Sequence, residues 1–65
     1  MARSPMLGAR LRRLRKDRSL TQVKLAEILG ISPSYLNMIE HNDRPLTVSL
    51  LLKLSDVLGV DLRDF

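Results

Sequence analysis

One three-part pattern recurs four times in this chain of 65 residues: an apolar residue, then Ser, Thr or Asp, then a second apolar residue four positions after the polar one. Thr21 lies between Leu20 and Leu25, Ser32 between Ile31 and Leu36, Thr47 between Leu46 and Leu51, and Asp61 between Val60 and Phe65. A short side chain with an oxygen acceptor satisfies the N–H groups that open an α-helix, and the flanking apolar pair staples the incoming chain to the first turn. One such pattern is weak in a leucine-rich chain, but four specify a succession of helix starts. The stops are as legible. Gly30 and Gly59 each follow an apolar-periodic run, where glycine takes the left-handed conformation that closes a helix. Pro33 holds the first helical position after Ser32, where its missing N–H costs nothing. The run Asn42-Asp43-Arg44-Pro45 reads as a turn. Helices are therefore expected over about 5–17, 22–29, 33–41 and 48–58, with a fifth from 62 onward. β-branched residues are sparse and do not alternate, so no strand is expected.

Each helix carries one apolar stripe. The first has Leu7, Leu11 and Leu14, and the second has Val23 or Leu25 with Ala26 and Leu29. The third has only Leu36 and Ile39, and the fourth has Val48, Leu51, Leu54 or Leu52, and Leu58. Packed together they make a single compact all-helical domain over 1–65. The chain has no cysteine, so apolar packing must hold it. A domain this short buries only about 60% of its unfolded surface, which argues against a deep pocket. His41 is the sole histidine and has no partner for a metal set or a catalytic triad. No enzyme activity, metal or cofactor is expected. The longest apolar run, the leucines at 50–52, is far too short to span a membrane. The first twenty residues carry seven Lys or Arg and no continuous apolar stretch, so no secretory leader is read and the expected address is the cytoplasm. Phe65 would fall only one turn into the last helix, so the chain reads as an excised piece or amino-terminal module of a longer protein.

Charge is distributed unevenly. Residues 1–18 hold seven Lys or Arg against Asp17 alone, whereas residues 19–65 hold four against six acids. A nearly neutral body thus carries a basic amino-terminal stretch, either as a solvated helix face or as an attractor for a polyanion such as nucleic acid. Charge alone does not separate DNA, RNA and anionic lipid.

The stretch from Thr21 to Asn42, TQVKLAEILGISPSYLNMIEHN, is the most informative. Two short helices are separated by Gly30-Ile31-Ser32, the pattern of a helix-turn-helix over about 21–42, or of an ordinary helical hairpin with a glycine corner. Ala26 is small where the two helices would cross, and Ile31 and Ile39 supply an apolar underside. At about 100° per residue the inward direction of the third helix lies between Leu36 and Ile39. Ser34, Asn37, Met38 and His41 point away from it, and Tyr35 lies at the margin. The outward face carries no acid, as a helix entering the major groove requires.

The run LGARLRRLRKDRSLTQVKLAEILGISPSYLNMIEHNDRPLTVSLLLKLSDVLGVDL resembles the five-helix DNA-binding domain of the phage-repressor and Xre family of bacterial regulators. Within it, ISPSYLNMIEHNDRPLT is similar to the amino-terminal domains of short-chain fatty acyl regulators, which carry a larger metabolite-sensing portion downstream. The resemblance implies a transcription regulator that reads double-stranded DNA with the 33–41 helix, as a homodimer on a roughly palindromic operator. Ser34, Asn37 and Met38 correspond to base-facing positions. By side-chain chemistry, Asn37 suits adenine, Ser34 several bases and Met38 a thymine methyl. Pro33 stands where family members carry a long polar side chain, which leaves that base-facing position mute or apolar. Gln22 corresponds to the glutamine that clamps a phosphate and buttresses the recognition helix. Ser32, whose helix start offers N–H groups to phosphate, and Tyr35, through its hydroxyl, are also expected on the backbone; the alternative for Tyr35 is a partly buried ring. His41, Asn42, Arg44 and Thr47 sit where the family's loop after the recognition helix follows the DNA backbone, with Arg44 best suited to neutralise a phosphate. Glu40 resembles a glutamate paired with an arginine of the first helix, here Arg15, as a structural ion pair. Arg10, Arg12 and Arg13 are left for long-range attraction, and Arg3 for a mobile arm.

Two other function classes compete with this one. An antitoxin-like module, which grips a toxin protein and autoregulates its operon, would need an exposed apolar patch, for which Leu50 or Leu52 and Phe65 are the candidates. A membrane-surface peptide formed by the first helix is disfavoured by a narrow apolar stripe without aromatics.

Overall fold

Among the described residues there are four α-helices, the last three of which start where the caps place them: α1 (Leu7–Asp17), α2 (Gln22–Leu29), α3 (Pro33–Glu40) and α4 (Val48–Leu58). The computed structural model describes residues 7–61 and 63, and among these no strand occurs. Among the described residues four helices are present where five are expected. The fifth, from 62 onward, falls on Leu62, Asp64 and Phe65 outside the described residues, as do Arg3 and the expected helix start at residue 5. The cap chemistry of that last start is nonetheless in place, because Asp61 Oδ1 accepts the Arg63 N–H at 2.9 Å. The Arg63 guanidinium, and then its backbone N–H, hold the Asp61 carboxyl below the usual carboxylate range.

The polar caps act as the spacing demands. Thr21 Oγ1 accepts from Lys24 N at 3.0 Å, Ser32 Oγ from Tyr35 N at 3.0 Å, and Thr47 Oγ1 from Leu50 N at 3.2 Å. Leu20, Ile31 and Leu46, the residues just before those caps, all pack against the core. At the far end of α2, Gly30 (φ 73°) lets its own N–H reach Glu27 O and the Ile31 N–H reach Ala26 O, the paired bonds of a Schellman stop. Two further helices stop the same way without glycine. Ser19 (φ 56°) and Asn42 (φ 62°) occupy the left-handed region after α1 and α3. The bonds Leu20 N–Arg15 O and Asp43 N–Met38 O close those ends. α3 is one residue shorter than expected, since His41 caps it with non-helical angles.

The core draws on every helix: Leu11 from α1, Leu25, Ala26 and Leu29 from α2, Leu36 and Ile39 from α3, Leu50 and Leu54 from α4. α3 packs against both α1 and α2, and α4 packs against α2. Val23, one of two candidates in α2, is exposed and Leu25 is the buried one. The expected stripe of α4 is corrected. Val48 is 70% exposed and Leu52 56% exposed, while Leu50 and Leu54 are buried. The run Leu50-Leu51-Leu52 offers three adjacent directions, and packing on α2 selects the first. Leu50 is thereby removed from the candidates for an exposed apolar patch.

The seam between α1 and α3 is polar and close. A Cβ on Gly8 would fall on the Ile39 carbonyl oxygen, with Asn42 Oδ1 at 2.7 Å and Glu40 O at 2.8 Å. Only glycine lets α1 approach the end of α3 this closely, and its N–H donates to Asn42 Oδ1 at 3.0 Å. One turn and two turns further along that face come Leu11 and then Arg15, which meets Glu40 in a bidentate pair. Arg15 Nη1 also donates to Leu20 O at 2.8 Å, tying the pair to the chain leading into α2. Both side chains are nearly sealed, at 10% and 0% exposed.

Gly8→Ala is expected to cost about 1–3 kcal/mol, because its methyl group overpacks against backbone carbonyls that cannot yield. Ser19→Gly is expected to gain about 0.5–1 kcal/mol by relieving a left-handed side chain. Arg15→Ala, which strands a buried carboxylate, is expected to cost about 3–5 kcal/mol, and Arg15→Met combined with Glu40→Leu to recover most of it. Urea denaturation followed by circular dichroism measures all three.

Candidate nucleic-acid interface

Ser32 and Pro33 fix where α3 begins, and the burial of Leu36, Ile39 and Glu40 fixes its rotation. The opposite side is thereby turned outward. Pro33, Ser34 and Asn37 are exposed and Met38 is half-buried. Together with Gln22 of α2 they line one shallow surface depression that contains no charged side chain. The only carboxylate of α3, Glu40, lies beneath this face and is occupied by Arg15. The surface is therefore open to a polyanion and rich in short hydrogen-bonding groups.

Gln22 joins the ion pair to this face. Its Nε2 donates to Glu40 Oε1 and to Asn37 Oδ1, each at 3.0 Å. A side-chain amide nitrogen has two hydrogens, and both are spent here. A phosphate contact by Gln22 would use this same nitrogen in place of one of its two present bonds, since the amide oxygen is an acceptor and phosphate offers no hydrogen to it. The Lys24 N–H is taken by Thr21 Oγ1, so the N–H groups of Gln22 and Val23, which have no intrahelical acceptor, are the backbone donors left at that site. On the other flank, His41 Nδ1 lies 2.7 Å from Asn37 O.

The other expected contacts do not all converge on this depression. Asn42 and Arg44 line a separate one with Leu7, Gly8, Ile39 and Leu46, beyond the end of α3. The Asn42 oxygen is bound to Gly8 N, and Arg44 Nη1 donates to the neighbouring Asp43 O at 3.3 Å. Ser32 and Thr47 hydroxyls serve as caps. Tyr35 is half-buried with its ring against the core. On α1, Arg12, Arg13 and Lys16 are exposed and share a depression with Asp17 and Glu40. Gly8 was missed by the sequence reading. Its signal was the spacing Gly8, Leu11, Arg15, which sets a residue without a side chain on the inward face.

Among the described residues no group of three His, Cys, Asp or Glu is placed to hold a metal ion, and no helix is long and apolar enough to cross a membrane.

Comparison with known proteins agrees with this geometry. The chain matches the family model described as Helix-turn-helix over residues 11–65. It is 56% identical over 55 residues to the HTH-type transcriptional regulator RamB of Mycobacterium tuberculosis, covering 85% of this chain and 12% of that protein. It is 57% identical over 49 residues to the HTH-type transcriptional regulator PrpR of the same organism, covering 75% and 10%. To the immunity repressor protein of Bacillus phage phi105 it is 41% identical over 54 residues, covering 83% and 38%. The chain thus spans about an eighth or less of the first two relatives' length. No solved structure matches it significantly. An acid-free outward face on a helix set by a glycine turn, a buried pair locking that helix, and the match over residues 11–65 place this chain in the Xre-type helix-turn-helix family of phage-repressor-like domains.

Proposed function

We propose that this domain binds double-stranded DNA sequence-specifically as the reading head of a transcription regulator, with α3 in the major groove. The observation that carries this is the uncharged, hydrogen-bonding face formed by Pro33, Ser34, Asn37 and Met38, held outward by the buried underside of α3. Ser34 and Asn37 contact base edges, Met38 offers an apolar surface to a thymine methyl, and Pro33 adds shape without a hydrogen bond. Ser32 and Tyr35, with the N–H groups that open α2 at Gln22, engage the phosphates on one side. His41, Asn42, Arg44 and Thr47 engage them on the other. Arg12, Arg13 and Lys16 raise the local attraction for the duplex. The names of RamB and PrpR support regulation of transcription, and their greater length supports a module within a longer regulator. Two such domains bind a roughly palindromic operator, with half-sites about one helical turn apart. The protein acts in the cytoplasm, as access to DNA in a bacterium requires.

Asn37→Ala and Arg44→Ala separate the two kinds of contact. The first is expected to cost about 1–3 kcal/mol on the preferred site and to relax discrimination at one base position, with random duplex bound nearly as before. The second is expected to weaken binding to every sequence and to reduce the slope of log affinity against log salt by about one. Titrations on selected and random duplex at several salt concentrations measure both effects. Identical losses on the two duplexes for both variants would contradict this division of roles.

A further inference from the structure

We infer that Asn37 enters the groove as a hydrogen-bond donor whose orientation is set by Gln22, and that it thereby selects guanine. This rests on the reading of α3 as the base-facing helix. The hydrogen bonds beneath that face run in one direction only. Arg15 has donors and no acceptor, so the Glu40 carboxylate accepts from it at 2.7 and 3.1 Å. That carboxylate in turn requires a donor from Gln22, which turns the Gln22 nitrogen rather than its oxygen toward Glu40. The second hydrogen of the same nitrogen then needs an acceptor, and Asn37 supplies it with Oδ1 at 3.0 Å. Each step fixes the next, so a guanidinium buried in α1 determines which end of an exposed amide is uncommitted.

The uncommitted end of Asn37 is its Nδ2 group with two hydrogens. Adenine, the partner its residue type suggests, presents N7 as acceptor beside the N6 amino donor, so a matched pair needs the asparagine oxygen as well as its nitrogen. Here that oxygen is turned back onto Gln22. Guanine presents two acceptors side by side in the major groove, N7 and O6, and no donor on that edge. Two amide hydrogens complement it, whereas adenine and cytosine set an amino donor against them and thymine offers only the single acceptor O4 beside its methyl group. Gln22 is a positioning residue in this scheme. Without its amide, Asn37 is free to turn over and accept from adenine.

The test is a set of duplexes carrying each base in turn at every position of the selected site, titrated with the wild-type chain, Asn37→Ala and Gln22→Leu. Gln22→Met provides a second variant that keeps chain length without the amide. The position at which Asn37→Ala abolishes discrimination is the one Asn37 reads. There the wild-type chain is expected to favour guanine over adenine by about tenfold or more, and the Gln22 variants by less than about threefold, with other positions unchanged. Replacing that guanine by 7-deazaguanine should weaken the wild type and leave Asn37→Ala unaffected. A preference for adenine at that position, or an undiminished guanine preference in both Gln22 variants, overturns the inference while leaving α3 as the reading helix. If Asn37→Ala changes no base position, the assignment of Asn37 to the bases fails, and this inference fails with it.

Discussion

A buried ion pair decides how this domain is put together. Arg15 and Glu40 are almost completely removed from water, and the cost of burying them is offset only where their polar atoms find partners. Here each charged nitrogen and oxygen has one: the guanidinium meets both carboxylate oxygens and the Leu20 carbonyl, and Gln22 adds a second donor to Glu40 Oε1. Among the described residues no buried side-chain nitrogen or oxygen is left without a hydrogen bond. Because the partners come from α1, the loop before α2, α2 itself and α3, one satisfied network fixes the relative placement of three helices. An apolar contact of the same size would tolerate sliding; a bidentate pair does not.

The same network prepares the outer face. Glu40 is the one acid of α3, and a carboxylate facing phosphate would repel it. Turned inward and matched by Arg15, it leaves α3 uncharged on the outside. Arg12, Arg13 and Lys16 on α1 and Arg44 after α3 line depressions separate from this face. On the proposed function, long-range attraction and short-range reading fall to different residues, as in protein–DNA contacts generally.

What the sequence disclosed follows from range. Helix starts were legible because a cap is a contact over three residues: Thr21, Ser32 and Thr47 each bond the third N–H ahead. The stop at Gly30 was legible because glycine announces the left-handed conformation, whereas Ser19 and Asn42 adopt it without that signal. In α4, three consecutive leucines satisfied the helical period in three rotations, and only contact with α2 chose among them. The face of α3 was read correctly from Leu36 and Ile39, since two buried positions fix a rotation. The partner of Gly8, and the bond from Gln22 to Asn37, were out of reach. Each depends on a separation of 15 residues or more, set by tertiary packing rather than by local pattern.

The central claim is that the acid-free side of α3 lies in the major groove of duplex DNA. Dimethyl sulfate tests it directly, since it methylates guanine at N7 in the major groove and adenine at N3 in the minor groove. On a bound operator, the account predicts protection of guanine N7 in two patches about one helical turn apart, with adenine N3 between them still reactive. Protection confined to adenine N3, with guanine N7 fully reactive throughout, would contradict it.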